Sequence, residues 1–260
     1  MQILDHGYLR FVECWGTGDD GKIANDFEVG IIEAARMSTD KGFLGWEPHC
    51  NKCGYRDAES VIASGCPFCS GKIIVGDENL LAHLYNNKHA TPFEMAGLII
   101  EVKAPIFVFR DWHRHRTQSY NEMSARYIPL PDENYTPSVE RCMSGANTAT
   151  TNKQAQNNGT VLTSDNAHLW LAELGYLYEQ AQKVYDLGMQ IGLPKELARL
   201  PIPVGRYSKM RASANLRNWL AFLTLRQAPQ AQWEIREYAN AVGTIIADRF
   251  PKTWELFSKS

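Results

Sequence analysis

Two groups of residues carry side chains whose type and spacing could do chemistry. The first runs from Arg110 to Tyr127 and holds Arg110, Arg114, Arg116 and Arg126 with His113 and His115 among polar neighbours. Four guanidinium groups this close repel one another unless anions sit among them, and Asp111 with Glu122 cannot neutralise them all. An anionic ligand is the natural counterion. Arginine forks grip phosphate in pairs of hydrogen bonds, and Asn121, Ser124 and Gln118 can read a base edge, so the composition suits a nucleotide. Charge alone serves a solvated basic face or an ion-pair network equally well, and both readings stay open here. The second group is Cys50-x-x-Cys53 with Cys66-x-x-Cys69. Two such hairpins can place four thiolates around one tetrahedral Zn²⁺, and Gly54, Gly65, Pro67 and Gly71 suit the turns this needs.

The elements that must position these groups follow from periodicity. Tyr8 to Trp15 reads as a strand, and a helix capped by Asn25 or Asp26 runs through Ile31, Ile32, Ala34 and Ala35. A zinc knuckle over 48–72 interrupts the chain after Ser38. Leu80 to Tyr85 resumes helical spacing, and Gly97 to Lys103 has the β-branched content of a strand. With Pro105 at a first helical position, Ile106 to Arg116 reads as a helix placing Arg110, His113 and Arg114 on one face. Ser144 to Asn166 is rich in Asn, Thr, Gln and Gly, so 144–166 is expected to be a mobile surface loop. From Asp165, apolar residues at Trp170, Leu174, Leu177, Ala181, Val184, Gly188 and Ile191 mark a long amphipathic helix with a packing partner. A short helix follows, ended by Pro201 and Pro203; Gly205 to Arg211 is read as a strand, and Asn215 to Arg226 and Ala231 to Arg249 as helices. The expectation is one α+β domain over 1–260 with a small metal module inserted near its start.

Composition narrows the class. With 44% apolar and 22% charged residues the chain is not disordered throughout, and a net charge of −2 leaves no global positive field to gather nucleic acid. No apolar run approaches the roughly 18 to 20 residues that span a bilayer, and Met1 to Arg10 has no signal-peptide pattern, so a reducing cytoplasm is expected.

Arg114-His115-Arg116, seven residues, then Ser124 resembles the RHR-x7-S signature of the flavin-dependent thymidylate synthases, the ThyX family. Ala34 to Ser38, His89 to Glu94, Lys103 to Val108 and Ala231 to Ile235 are similar to segments of that family in the same order, from about residue 28 to 257 apart from the knuckle and the polar loop. The resemblance implies a ThyX-like fold with a mixed sheet and long helices, assembled as a homotetramer with active sites between subunits. It implies transfer of a methylene group from methylenetetrahydrofolate to C5 of dUMP, reduction by FADH₂, and NADPH to restore the flavin.

Residue by residue, the resemblance assigns Ser38, His89, Thr91, Arg114, His115, Arg116, Glu122, Asn215 and Arg217 to FAD. It assigns Asp111, Arg114, Glu122, Met123, Ser124, Ala125, Arg126, Arg199 and Arg226 to dUMP, with backbone amides of 122–126, Ser124 and Arg126 at the phosphate. Arg226 matches the position that polarises the uracil ring, where a fixed positive charge makes C5 a better nucleophile. Cys14 and Cys142, read as lacking an adjacent basic group, are bystanders, and Ser124 without a paired base is a binding residue. Asp111, His113, Ala221 and Gln230 depart from the family pattern; the Asp111 carboxylate either repels phosphate or pairs with an arginine.

Three readings of function follow. The preferred one is the flavin-dependent synthase. A second keeps the scaffold but releases hydroxymethylated dUMP where water quenches the adduct, and a third is a non-catalytic zinc-ribbon binding protein. For the knuckle, with Cys50, Cys53, Cys66 and Cys69 on one metal, a structural staple stands against a nucleic-acid ribbon and a redox dithiol. Lys52, Arg56, Tyr55 and Phe68 are a thin set for phosphates and bases.

Overall fold

Along Gly97–Pro105, Leu98, Ile100, Val102 and Ala104 are fully buried while the residues between them are partly open, the period of two that marks a strand deep in a sheet. In the computed structural model, which describes residues 1–17, 26–56, 65–146 and 162–259, this strand (β5) is central. The sheet runs β1 (Gln2–Ile3), β2 (Gly7–Trp15), β5, β7 (Tyr207–Asn215), β6 (Ser119–Glu122). β1 pairs antiparallel with β2 and β6 with β7, the latter with Tyr120 opposite Ala212 and Glu122 opposite Met210. A separate two-stranded ribbon joins β3 (His49–Cys50) to β4 (Ile73–Ile74). The helices are α1 (Val29–Arg36), α2 (Glu78–Asn86), α3 (Ile106–Trp112), α4 (Val139–Ala146), α5 (Ser164–Gln190), α6 (Lys195–Ala198), α7 (Leu216–Arg226), α8 (Trp233–Arg249) and α9 (Pro251–Ser258). The α+β class expected from the sequence is the one observed.

By packing, the chain divides into two compact units. The first comprises Met1–Val12, Ile99–Ser213 and Phe222–Val242. Its core stacks Trp112 on Phe222 with ring centroids 4.8 Å apart, beside Tyr238 and Phe109. Arg206 is fully buried, and its two Nη atoms meet Asp132 at 3.0 Å, the Pro131 carbonyl and Gln182 of α5, both at 2.8 Å, while its Nε has no partner among the described residues. A buried charge is tolerated only with such partners. Gly205 is required because a Cβ there would lie 2.4 Å from the Tyr178 hydroxyl.

The second unit comprises Glu13–Leu98, Ala214–Ala221 and Gly243–Ser260. Ile31, Ile32, Leu81, Trp219, Ile246 and Phe250 are fully buried in it. The carboxylate of buried Glu28 accepts the backbone N–H groups of Lys252 and Thr253 at 3.0 and 2.6 Å, capping the first turn of α9.

Several boundaries differ from the sequence reading. α1 begins at Val29, and Asp26 serves it from two residues upstream by accepting the Glu28 N–H at 3.1 Å; Asn25 lies outside the described residues. α3 ends at Trp112, with Pro105 as the flanking cap residue, so Arg114 does not share a helix face with Arg110. Ser144 to Ala146 are helical, as are Ser164 to Asn166, where the loop over 144–166 was expected. Residues 147–161 lie outside the described residues. Among the described residues, no helix is long and apolar enough to cross a membrane.

Candidate active site

In the first unit, the end of α3 and the end of α7 converge. Arg226, the last residue of α7, donates from Nε to Nε2 of His115 at 2.8 Å and from Nη2 to the Asp111 carbonyl at 2.9 Å. His115 sits in the turn after α3 because Trp112 is held in the core, with Nε1 donating to Gln118 at 3.1 Å. The Tyr120 hydroxyl lies 2.7 Å from the His115 carbonyl and 3.1 Å from that of Trp112, closing the same turn. Burial pushes that phenol up to about 12, so it stays a donor. Burial and then the neighbouring Arg226 charge push the His115 imidazole down to about 4. A neutral ring is what the geometry needs, since only an unprotonated Nε2 can accept from Arg226.

Arg110, Arg114, Arg116 and Arg126 are exposed, and among the described residues no carboxylate pairs with any of them. Arg126 instead lies over the Tyr127 ring at 5.4 Å. The Asp111 carboxylate likewise makes no ion pair among the described residues; its carbonyl is the group that holds Arg226. Of the two roles foreseen for Asp111, pairing with an arginine is not seen among the described residues; its carbonyl, in the last turn of α3, accepts from Arg226 instead.

A cavity of about 250 Å³ in the same unit is lined by Glu122, Met123, Ala125, Arg199 and Ser208, with Ile106, Leu130, Leu200 and Ile202 forming its apolar walls. The turn after β6 is closed by the Ser124 carbonyl, which accepts from Tyr127 at 3.0 Å, and by Ser124 Oγ, which accepts the Arg126 N–H at 3.4 Å. The Met123 N–H is spent on the Lys209 carbonyl at 2.8 Å. The amides of Met123 and Arg126 are therefore committed within the chain. Sequence reasoning missed Ser208. It is 1% exposed, and its hydroxyl has no partner among the described residues. A serine between Tyr207 and Lys209 in a strand gives no signal of that.

The second unit holds His89, Thr91, Ser38, Asn215 and Arg217. A cavity of about 550 Å³ is lined by Ala34, Ala35, Met37, Leu84, His89, Ala90, Thr91, Pro92 and Met95, an apolar wall with two polar side chains at its rim. Its size is that of a small-molecule site. A smaller cavity of about 150 Å³ joins His89 and Lys88 to Arg217. The Arg217 guanidinium is paired with Glu94. Asn215 Oδ1 accepts the Asn218 N–H at 3.0 Å, so this side chain caps α7. Ser38 is exposed and is not among the residues lining these two cavities.

The four cysteines of the 48–72 segment come together as the spacing predicts. Their Sγ atoms all lie within 4.8 Å of one another, with Cys50 to Cys69 and Cys53 to Cys66 both at 3.5 Å. The Cys14 thiol is pushed up to about 11 by burial, and burial also raises Cys142. Arg141 does adjoin Cys142, contrary to the sequence reading, but its guanidinium is committed to Glu234 at 2.8 Å. Neither thiol has the environment of a nucleophile.

A family model described as "Thymidylate synthase complementing protein" matches residues 24–252. A flavin-dependent thymidylate synthase of Thermus thermophilus is 34% identical over 259 residues, which is 100% of this chain and 78% of that protein. One of Thermosipho africanus is 32% identical over 261 residues, 99% of this chain and 93% of that protein. Among solved structures, the UMP/dUMP methylase PolB from Streptomyces cacaoi bound with 5-Br UMP superposes with a TM-score of 0.72 at 25% identity, covering 100% of this chain and 97% of that one. The fold and the arginine-rich site thus define a ThyX-type protein. The chain belongs to the flavin-dependent thymidylate synthase family.

Proposed function

We propose that the protein makes dTMP from dUMP with methylenetetrahydrofolate as one-carbon donor and FAD as the redox cofactor, restored by NADPH. The observation that carries this reading is the fixed guanidinium of Arg226, held by neutral His115 and the Asp111 carbonyl. A positive charge held against the pyrimidine favours loss of the N3 proton and loads electron density onto C5, the atom that must attack the methylene carbon. No cysteine thiolate is then needed, in keeping with the environments of Cys14 and Cys142.

The 250 Å³ cavity supports nucleotide binding, with Arg199, Glu122, Met123 and Ala125 in its lining as dUMP contacts, and Ser124 with Arg126 at the turn after β6 assigned to the phosphate. Asp111 takes part through its carbonyl, by orienting Arg226. The 550 Å³ cavity with His89 and Thr91 fits a flavin in size and apolar lining. Ser38, Asn215 and Arg217 belong to the same unit, whereas Arg114, Arg116, His115 and Glu122, also assigned to FAD, belong to the first. Reduced flavin bound there would supply the hydride that completes the methyl group. The two methylase-type relatives favour the methylated product over a hydroxymethylated one.

Two structural readings go with it. Cys50, Cys53, Cys66 and Cys69 bind one Zn²⁺, whose tetrahedral thiolates lie about 3.8 Å apart at bonds of about 2.3 Å; the observed separations suit that geometry. The protein assembles as a homotetramer through α5. Trp170, Leu177, Val184 and Ile191 recur every seven residues, and each is more than half exposed, whereas Ala181 and Gly188 face the unit's own core. A seven-residue apolar stripe left bare wants a partner helix.

The test is the absorbance spectrum of the purified protein with and without dUMP. A flavin spectrum that shifts on adding dUMP supports the reading, and a colourless protein that does not take up FAD contradicts it.

A further inference from the structure

The metal module sits between α1 and α2 in the chain, and its root is tied to both. β3 and β4 pair Cys50 opposite Ile73, so closing the cysteine cluster brings Trp46 and Gly76 together. The root leaves no slack. A Cβ on Gly76, whose φ is +83°, would meet the Trp46 carbonyl at 2.4 Å, and the Asp77 N–H donates to the Gly45 carbonyl at 2.8 Å. At the other end, a Cβ on Gly71 would lie 2.4 Å from Cys50 Sγ, so backbone packs directly on the thiolates.

Asp77 is where the root meets the cavity. Its fully buried carboxylate accepts from Arg36 Nε at 2.8 Å and from the Leu44 N–H at 2.6 Å. Arg36 ends α1, and its neighbours Ala34, Ala35 and Met37 form one wall of the 550 Å³ cavity, opposite His89 and Thr91. Asp77 precedes α2, which supplies Leu84 to the same cavity. One buried ion pair therefore fixes both helices that wall the cavity. Forty residues separate its two members in sequence.

We infer that Zn²⁺ held by the four cysteines acts as a clamp on the cofactor cavity: by closing the inserted hairpin it holds Asp77 on Arg36, and so makes flavin affinity depend on the metal. The inference rests on the readings that the cysteines bind zinc and that this cavity takes FAD. The physical ground is chain entropy. Without the metal, the Arg36–Asp77 pair must close a loop of forty residues, whereas a bridge from Cys50 to Cys69 removes about half of that loop. Each halving of a free loop is worth about threefold in the closing equilibrium. Losing the pair also leaves a buried carboxylate without its counterion, which favours opening further.

The experiment uses the full chain as purified and measures zinc content, FAD dissociation constant and amide hydrogen exchange at residues 34–38. Each is read before and after treatment with a strong chelator, and again after zinc is restored. The expected result is one zinc per chain, FAD binding weakened about threefold or more on chelation, faster exchange at 34–38, and recovery of both with zinc. Asp77→Asn should give the weakened binding and the faster exchange while keeping its zinc. Zinc present and removable with no change in FAD affinity or exchange overturns the clamp and leaves the metal site standing. Free thiols and no zinc in the wild-type protein overturn the metal reading and the clamp together. FAD affinity that falls while exchange at 34–38 stays fixed places the effect elsewhere and also overturns the clamp.

Discussion

His115 Nε2 accepts a hydrogen bond from Arg226 Nε at 2.8 Å, which fixes the imidazole proton on Nδ1 and the guanidinium in one orientation. The pairing is of two residues 111 positions apart, one in a turn and one at a helix end. It converts a mobile side chain into a fixed charge.

Removing that charge should cost chemistry more than binding. Arg226→Ala is expected to retain flavin and to lower kcat by about 10²- to 10³-fold, the magnitude seen when one preorganised charge-stabilising group is removed. Steady-state kinetics with a flavin-content measurement check this, and near-wild-type turnover contradicts the role.

The imidazole should act through Arg226. His115→Ala is expected to lower kcat about tenfold or more with a smaller change in KM for dUMP, because the guanidinium loses an acceptor rather than its charge. His115→Asn, whose carbonyl can still accept, should recover part of the loss. Equal loss in the two variants argues against a positioning role.

Acid should weaken the folded protein through the same ring. The imidazole is pushed down to about 4 in the fold, so below its ordinary value near 6.5 the unfolded chain binds the extra proton and the folded one does not. Stability from this group is fully present above about pH 6.5 and is lost as pH falls toward 4. Since the ring is only half-buried, the loss should reach about 1–2 kcal/mol. Denaturant titrations across that window should show the fall, and His115→Asn should flatten it.

Arg199 is exposed at the rim of the 250 Å³ cavity and has no carboxylate partner among the described residues. Arg199→Ala should weaken dUMP binding by about 1.5–3 kcal/mol, the worth of a hydrogen bond to a charged group, with folding stability barely changed. Calorimetry with dUMP checks it, and an unchanged dissociation constant removes Arg199 from the dUMP contacts.

The α5 stripe is the prediction about assembly. Leu177→Glu with Val184→Glu places charges on two exposed apolar residues of the chain and should dissociate the tetramer without unfolding the protomer. Light scattering reads the mass, and an intact tetramer in the double variant removes α5 from the interface.

Much of the scaffold is legible from spacing alone. Period two marks β5 because alternate residues are buried, and the four cysteines meet as the spacing of their two Cys-x-x-Cys pairs predicts. The RHR run stands out in the sequence because Asp111 and Glu122 are too few to neutralise its arginines, and in the fold no carboxylate pairs with Arg110, Arg114, Arg116 or Arg126 among the described residues. What periodicity does not reveal depends on distant contacts. The Trp112 ring at the end of α3 is held by Gln118 and Phe222, and Asp111 meets Arg226 through its backbone carbonyl. Ser208 is hidden for the same reason, since a side chain's burial is decided by what packs on it.

The most direct measurement is the mass of the nucleotide formed when the purified protein, reduced FAD and methylenetetrahydrofolate are mixed with dUMP without oxygen. dTMP as the product, lost in Arg226→Ala, is the expected result. A hydroxymethylated nucleotide, or dUMP returned unchanged by a flavin-loaded protein, contradicts the account.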